Sequence, residues 1–346
     1  MTLAVHALAP GPDAAREWDD FARTTPGGTL YHQLAWRRIF GGEFAWETHY
    51  LAARGPHGLE GILPLVRLRS RLFGDFLVSL PYVNYGGVVA RTEAADRSLA
   101  AAAAGLAQSL RVSHVELREL QPRDPAWPAR TDKVIMQSAL AATAEAHWDG
   151  LPAKLRSQVR RPQKDGATTR IGGAELLPQF YAVFARNMRD LGTPVYGRSF
   201  FSAIARELAE HIDVVVAELD GQPVAAGILL HWGGRTEIPW ASSLRSANRL
   251  GVNMLMYWES LKRAISRGST VFDFGRSTRD SGTYRFKRQW GAEPVPVYWH
   301  YWLPGGGPLP HLNPANPKYA LAIAAWRRLP VWLANGLGPH IVRNLP

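Results

Sequence analysis

The stretch from Phe272 to Leu303, FDFGRSTRDSGTYRFKRQWGAEPVPVYWHYWL, concentrates the chemistry of this chain. A buried-strand signal over Val271 to Phe274 ends at Gly275. A polar loop follows, carrying Arg276, Ser277, Thr278, Arg279 and Asp280. A short helical segment presents Phe286 and Lys287, and an aromatic strand runs over Val297 to Leu303. Such a layout holds a lysine beside a cleft, and an ammonium fixed by packing stabilises an oxyanion developing on a carbonyl. Asp280 is placed to take a proton or to hold Arg279. Arg276, directly after the strand, can reach an anionic acceptor, with Ser277 next to it. Phe286 shapes the pocket and Tyr284 offers a phenol. The plain alternatives are a solvated lysine, a loop-capping aspartate and a surface ion pair.

Glu237 stands in an otherwise apolar strand, where a carboxylate is costly unless paired. It is a base or a clamp for an acceptor amine, or else the partner of Arg235 or Arg245. Trp240 follows on the same strand as a lining residue. In the first half, Tyr82, Asn84 and Tyr85 of PYVNYGG can line a cleft, and Gly86 and Gly87 would let a substrate approach the backbone; the alternative is a turn between strands. Tyr196 is a second phenol, used for an oxyanion or for packing. Arg156, Arg160, Arg161 and Lys164 fall broadly on one helical face, fit for tRNA or phosphate groups or simply solvated.

The elements that must position these groups form two similar series. The first reads as an edge strand (Thr2 to Leu8), helices over Ala14 to Thr24 and Tyr31 to Phe40, and strands over Thr48 to Arg54 and Leu59 to Arg69. Strands over Phe76 to Leu80 and Gly87 to Ala90 come next, then an Ala-rich helix over Ala94 to Arg111 and strands over His114 to Arg118 and Lys133 to Leu140. The second reads as helices over Ala144 to Gly166, Leu176 to Leu191 and Ser199 to Glu210, a hairpin across DGQP, and a strand over Arg235 to Ser242. A long helix over Asn248 to Arg267 then carries an apolar stripe of Met254, Leu255, Trp258, Leu261 and Ile265. The sequence therefore predicts an α/β (α+β) chain with domains over 1–143 and 144–304 and a tail over 305–346. The tail, apolar with Trp326, Trp332, Lys318, Arg327 and Arg328, packs back on the body or seeks a membrane surface.

Length and composition set bounds. A chain of 346 residues suits two domains. Cysteine is absent, which excludes disulfides, a thiolate nucleophile and Cys-ligated zinc. No H-x-x-x-H pair, phosphate-binding loop, dinucleotide fingerprint or G-x-S-x-G elbow occurs, so no metal or bound cofactor is expected. Acetyl-CoA enzymes grip pyrophosphate at a helix start through R/Q-x-x-G-x-G/A; RIFGGE (Arg38 to Glu43) and RLFGDF (Arg71 to Phe76) fail at its last position, which disfavours CoA. A formal charge of +11 favours anionic partners. Neither a secretory signal nor an apolar run of about 18 residues is present. These features point to a cytoplasmic protein, at most peripheral at the inner membrane.

SLPYVNYGG (Ser79 to Gly87), KLRSQVRRPQK (Lys154 to Lys164), FARNMRDLGTPVY (Phe184 to Tyr196), EIPWASSLR (Glu237 to Arg245) and Phe272 to Ala292 resemble the FemAB-type peptidyltransferase superfamily. The likeness is greatest to the FemAB-like proteins that accompany exosortase/PEP-CTERM systems. The resemblance implies two GNAT (N-acetyltransferase-type) domains side by side, with the C-terminal helix returning to the first. It also implies transfer of an amino acid from aminoacyl-tRNA to an amine of a cell-wall precursor. In the family a Phe-Lys pair before a Gly lies at the catalytic cleft, matching Phe286 and Lys287 before Gly291. Basic side chains grip the acceptor's phosphates, for which Arg189 and Arg198 lie in the corresponding region. The basic residue expected soon after the first-domain Trp is not cleanly reproduced after Trp36. The resulting expectation is an acyltransferase that passes an aminoacyl or other acyl group to an amine on an anionic or lipid-linked envelope or exopolysaccharide precursor. Two alternatives are an N-acyltransferase using an acyl thioester (acyl-CoA or acyl carrier) and a non-catalytic polysaccharide-binding scaffold.

Overall fold

A computed structural model describes residues 3–70, 74–310 and 317–344. Thr2 and Arg71, which belong to segments singled out above, lie outside the described residues. The chain divides into two compact units. One holds the residues up to Val134 and rejoins at Val295; the other holds Ile135–Pro294 and the two tail helices.

The first unit is built on strands β1 (Ala4–Ala7), β2 (Glu47–Gly55), β3 (Gly58–Ser70), β4 (Gly74–Val78), β5 (Val89–Ala90), β6 (Val115–Glu119) and β7 (Ala129–Arg130). Helices α1 (Pro12–Thr24), α2 (Ala35–Phe44) and α3 (Glu93–Leu110) complete it. Ala-rich α3 turns Ala95, Leu99, Ala103 and Ala107 onto the sheet, the small residues allowing close approach.

The second unit begins with β8 (Lys133–Ala139), then α4 (Ala144–Gly150), α5 (Ala153–Lys164), β9 (Thr168–Gly172), α6 (Leu177–Leu191) and α7 (Arg198–Glu207). It continues through β10 (Ile212–Leu219), β11 (Gln222–Trp232), β12 (Arg235–Ser243), α8 (Val252–Ser266), β13 (Val271–Thr278), α9 (Gly282–Arg288) and β14 (Glu293–Pro296). Its sheet runs β14-β8-β13-β12-β11-β10-β9. After it, β15 (Tyr298–Trp302) crosses back and pairs with β6 and β7 of the first sheet, whose order is β1-β2-β3-β4-β6-β15-β7. Helices α10 (Pro317–Trp326) and α11 (Val331–Val342) close the described chain.

Several expectations are corrected here. What returns to the first unit is strand β15, whereas the tail helices belong to the second unit: Arg327 donates to the Leu191 carbonyl and Arg189 to the carbonyls of Arg327 and Leu329. The boundaries fall at 134 and 295, because β8 joins the second sheet. The single basic helix is two, since Pro152 lacks the N–H that a continuous helix needs. The long helix starts only at Val252, after a 3₁₀ segment (Arg245–Leu250) and Gly251. Strand β9, absent from the sequence reading, edges the second sheet.

One buried polar cluster ties β10, β11, β12 and α8 together. Asp213 accepts from Arg263 (2.6 and 3.0 Å), from Arg267 (3.2 and 3.3 Å) and from His231 Nε2 at 2.9 Å. Burial lowers the His231 pKa and keeps the ring neutral. Nε2–H therefore donates to Asp213, and Nδ1 accepts from the Thr236 hydroxyl (2.8 Å), which in turn takes the Ser269 proton (2.8 Å). These hydrogen bonds hold the Asp213 carboxyl well below the usual carboxylate range despite its burial. Both arginines are about one third exposed, which screens their share. Asp213→Asn should cost about 2–3 kcal/mol at neutral pH by urea denaturation. A carboxyl with a depressed folded pKa contributes stability that is lost only as pH falls, so the gap from wild type should close below about pH 4.

Candidate active site

The sequence forces β12 and β13 apart. They run parallel and pair only at Arg235↔Val271, Thr236↔Phe272 and Glu237↔Asp273, although both continue for several residues. Two local features end the ladder there. On β12, Ile238 and Pro239 together oppose the single Leu229 of β11, a bulge at a residue with no N–H to give. On β13, Gly275 takes φ +74°, a left-handed conformation that a side chain would resist. A fork opens beyond Glu237 and Asp273, and the backbone of β13 is left with carbonyls that β12 does not reach.

Lys287 fills that need. Ser281 caps α9 by accepting from the Tyr284 N–H at 3.2 Å, and the helix brings Lys287 back over the fork. Its Nζ donates to the Gly275 and Arg276 carbonyls, each at 3.0 Å, and the residue is only 7% exposed. Asp273 is fully buried; its Oδ1 accepts from the Gly275 N–H at 2.7 Å and its Oδ2 from Gln137 Nε2 at 3.0 Å, with Arg235 at 3.8 Å. Burial brings the Lys287 pKa down to about 8, against the opposing pull of the Asp273 and Glu237 charges, while Arg276 pushes it the same way as burial. Burial raises the Asp273 pKa. Glu237 is 4% exposed and lies beside Asp273 in the ladder. Two carboxyl groups and one ammonium thus share the base of the fork.

Beside the far end of β12 lies a cavity of about 260 Å³ lined by Asn187, Ala241, Ser242, Asn253, Tyr257 and Phe286 among others. A second, of about 310 Å³, runs along the start of α8 past Gln158, Arg161, Arg249, Gly251 and Gln289. Both share Asn248, Asn253 and Phe286, so they form one trough around the Phe286 ring. Among the described residues, the buried Ser277 hydroxyl on β13 has no hydrogen-bond partner.

The sequence-predicted residues fall into groups. Lys287 and Glu237 come together, and Phe286 lines the trough with Tyr257 at 5.1 Å. Arg276 is exposed just past the fork and Tyr284 is half-buried on α9. Asp280 is exposed in the turn before α9, at φ +58°, as a turn residue and not a member of the charged cluster. Tyr196 and Trp240 pack in an aromatic cluster with Phe200 and Phe201. Arg198 is exposed at the start of α7. Arg189 is engaged by Asp190 at 2.8 Å and by the tail carbonyls, so it fastens α6 to the tail. Arg245 donates to the Asp190 carbonyl and not to Glu237.

In the first unit, β4 and β6 part in the same manner after Val78↔Glu116, but the gap is filled by the chain itself. Ser79 donates to the Glu116 carbonyl, and the Gly86 and Gly87 N–H groups donate to that of Arg118. The buried Arg118 guanidinium binds Glu116 at 2.7 Å and the Val83 carbonyl at 2.9 Å. Tyr82 stacks among Phe40, Phe44 and Trp46, Tyr85 packs edge-on to Tyr31, and Asn84 is half-buried between them in sequence. The glycines thus serve backbone hydrogen bonds within this plug. Asp273 and Gln137 escaped sequence reasoning. A carboxylate between Phe272 and Phe274 carried the same warning as Glu237, a charge in an apolar strand.

Residues 153–288 match the family described as an acetyltransferase (GNAT) domain. Over 308 residues the chain is 21% identical to the UDP-N-acetylmuramoylpentapeptide-lysine N(6)-alanyltransferase of Weissella viridescens, covering 80% of this chain and 89% of that protein. Among solved structures, FemX matches with a TM-score of 0.65 at 14% identity, covering 86% of this chain and 96% of its own. A tandem GNAT protein from the clavulanic acid biosynthesis pathway matches with a TM-score of 0.56 at 14% identity, covering 87% and 98%. At such identities the structural matches establish the fold, a tandem GNAT.

Lys287 should titrate near pH 8 in a nitrogen-detected NMR experiment, and Glu237→Gln should lower that value, because it removes a charge that raises it. The unfolded chain binds the proton more tightly than the folded one, so stability should rise with pH between about 8 and 10.4. A Lys287→Met variant should lose that rise in urea melts.

Proposed function

We propose that the chain is an acyltransferase of the FemAB-type superfamily of tandem GNAT proteins, one that moves an aminoacyl group onto an amine of an anionic envelope precursor. The observation that carries this reading is the buried Lys287 ammonium at the fork, with the Glu237 and Asp273 charges acting on it, next in sequence to Phe286, which lines the trough. The activity of the Weissella relative, alanyl transfer to the lysine of a UDP-linked muramoyl pentapeptide, supports an amine acceptor on an anionic carrier.

In this reading the donor lies along the trough, its phosphates near Arg161 and Arg249 and the start of α8. The acceptor nitrogen forms a bond to the acyl carbon, and the carbonyl π pair moves to oxygen. Two of the three Lys287 N–H groups hold β13 carbonyls, which fixes the ammonium and leaves the third for that oxyanion. Glu237 takes the proton leaving the amine nitrogen. The oxyanion pair re-forms the carbonyl as the C–O bond to the donor breaks, and the departing oxygen takes the proton that Glu237 holds, which returns Glu237 to its carboxylate form. Arg276, exposed past the fork, meets the acceptor's negative charge, and the Ser277 hydroxyl is available to a substrate polar group. No step needs a covalent enzyme intermediate.

Purified protein should therefore transfer labelled alanine from alanyl-tRNA to UDP-N-acetylmuramoyl-pentapeptide. Lys287→Ala should lower kcat by roughly 100- to 1,000-fold with little change in KM. Transfer from acyl-CoA alone would support the thioester alternative instead. Full turnover by Lys287→Ala would refute the role given to the ammonium.

A further inference from the structure

Four large apolar side chains of the tail helices are exposed. In α11, Ala334, Gly338 and Val342 are buried. The approach is so close that a Cβ on Gly338 would lie 2.8 Å from the Val195 nitrogen. Elsewhere on the helix Trp332 is 74% exposed, Leu337 45% and Ile341 38%. In α10, Ile323 turns toward Gly192, whereas Leu321 is 83% exposed. A surface helix ordinarily shows the reverse, apolar inward and polar outward. Of the six large apolar residues exposed among the described ones, four lie in these helices, and a fifth, Leu191, is the residue whose carbonyl binds Arg327. The patch is thus concentrated, not scattered, and such a patch marks an interaction surface.

Charge identifies the occupant. From Pro294 to Pro346 the sequence contains no Asp or Glu, while Lys318, Arg327, Arg328 and Arg343 are basic. Arg327 and Arg328 sit at the corner between the two helices, both exposed. No described helix is long and apolar enough to cross a membrane, and Pro330 separates α10 from α11. Short helices with exposed Trp and Leu side chains and nearby arginines lie in the headgroup region of a bilayer, not across it. A second copy of the chain docked through the same face would bring its arginines against these, like charge on like. We propose that α10 and α11 form a docking surface for an anionic lipid bilayer. This surface needs nothing from the acyl-transfer chemistry.

Flotation of the full chain with phosphatidylcholine vesicles, with or without about one third phosphatidylglycerol, tests it. The protein should float with the anionic vesicles, and roughly tenfold less with the neutral ones or at high salt. Trp332→Glu combined with Leu337→Glu should weaken the association by roughly tenfold or more. Arg328→Gln should weaken it less. Because these side chains are exposed, the melting temperature should stay unchanged. Failure to float with anionic vesicles at low salt would overturn the proposal, as would undiminished binding by the double variant. So would light scattering that shows a dimer abolished by Trp332→Glu, which would assign the face to a second copy.

Discussion

The fork between β12 and β13 depends on one exchange of hydrogen bonds. Where the ladder stops at Glu237 and Asp273, the carbonyls of Gly275 and Arg276 lose their strand partner, and an ammonium takes them instead. A lysine is buried only when its charge is matched, and here two carbonyl dipoles and two carboxyl groups do so. In the proposed function, the same group that closes the backbone account is the one that meets the reacting carbonyl. Its lowered pKa follows from the burial that this task imposes. Structure and chemistry are not separable at Lys287: a substitution that removes the positive charge also leaves two carbonyls unpaired.

The two units solve the same geometrical problem differently. Each has a pair of parallel strands that part after a short ladder. In the first, SLPYVNYGG folds into the gap, and the Arg118 guanidinium, paired with Glu116, serves the carbonyls of the plug. In the second, the Lys287 ammonium takes the freed carbonyls, and its neighbour Phe286 lines the trough. The acyl-transfer reading attaches to the second unit because Lys287, Glu237 and Asp273 all lie there. In the first, Tyr85, Gly86, Gly87 and Arg118 border a cavity of about 960 Å³.

Much of this was legible in the residues. The pattern of apolar positions located the hairpin β10–β11, the helices α3 and α6, and strand β15 within a residue or two, because each buries one face on a core; α8 was located too, but its start was placed four residues early. Glu237 was visible as a charge in an apolar strand, and the Phe286-Lys287 pair through the strand, loop and helix layout and the family resemblance. What escaped was long-range. Asp273 looked like part of a core strand until the parallel register set it beside Glu237. Arg189 read as a ligand-gripping cation because nothing local announces that carbonyls at 327 and 329 will arrive beside it. PYVNYGG read as a cleft lining, and Tyr85, Gly86 and Gly87 do border a cavity of about 960 Å³; that the same segment also fills the gap between β4 and β6 was not legible, because that pairing is long-range. Strand β9 lacks a buried face of its own, so its sequence carries little signal.

The most direct test is a crystal structure of the chain bound to an aminoacyl-RNA mimic carrying a tetrahedral phosphonate in place of the acyl carbon. The account predicts one phosphonyl oxygen within about 3 Å of Lys287 Nζ, with the Gly275 and Arg276 carbonyls still accepting from the same ammonium. An oxygen bound elsewhere, with Lys287 sealed beneath an unoccupied trough, would contradict it.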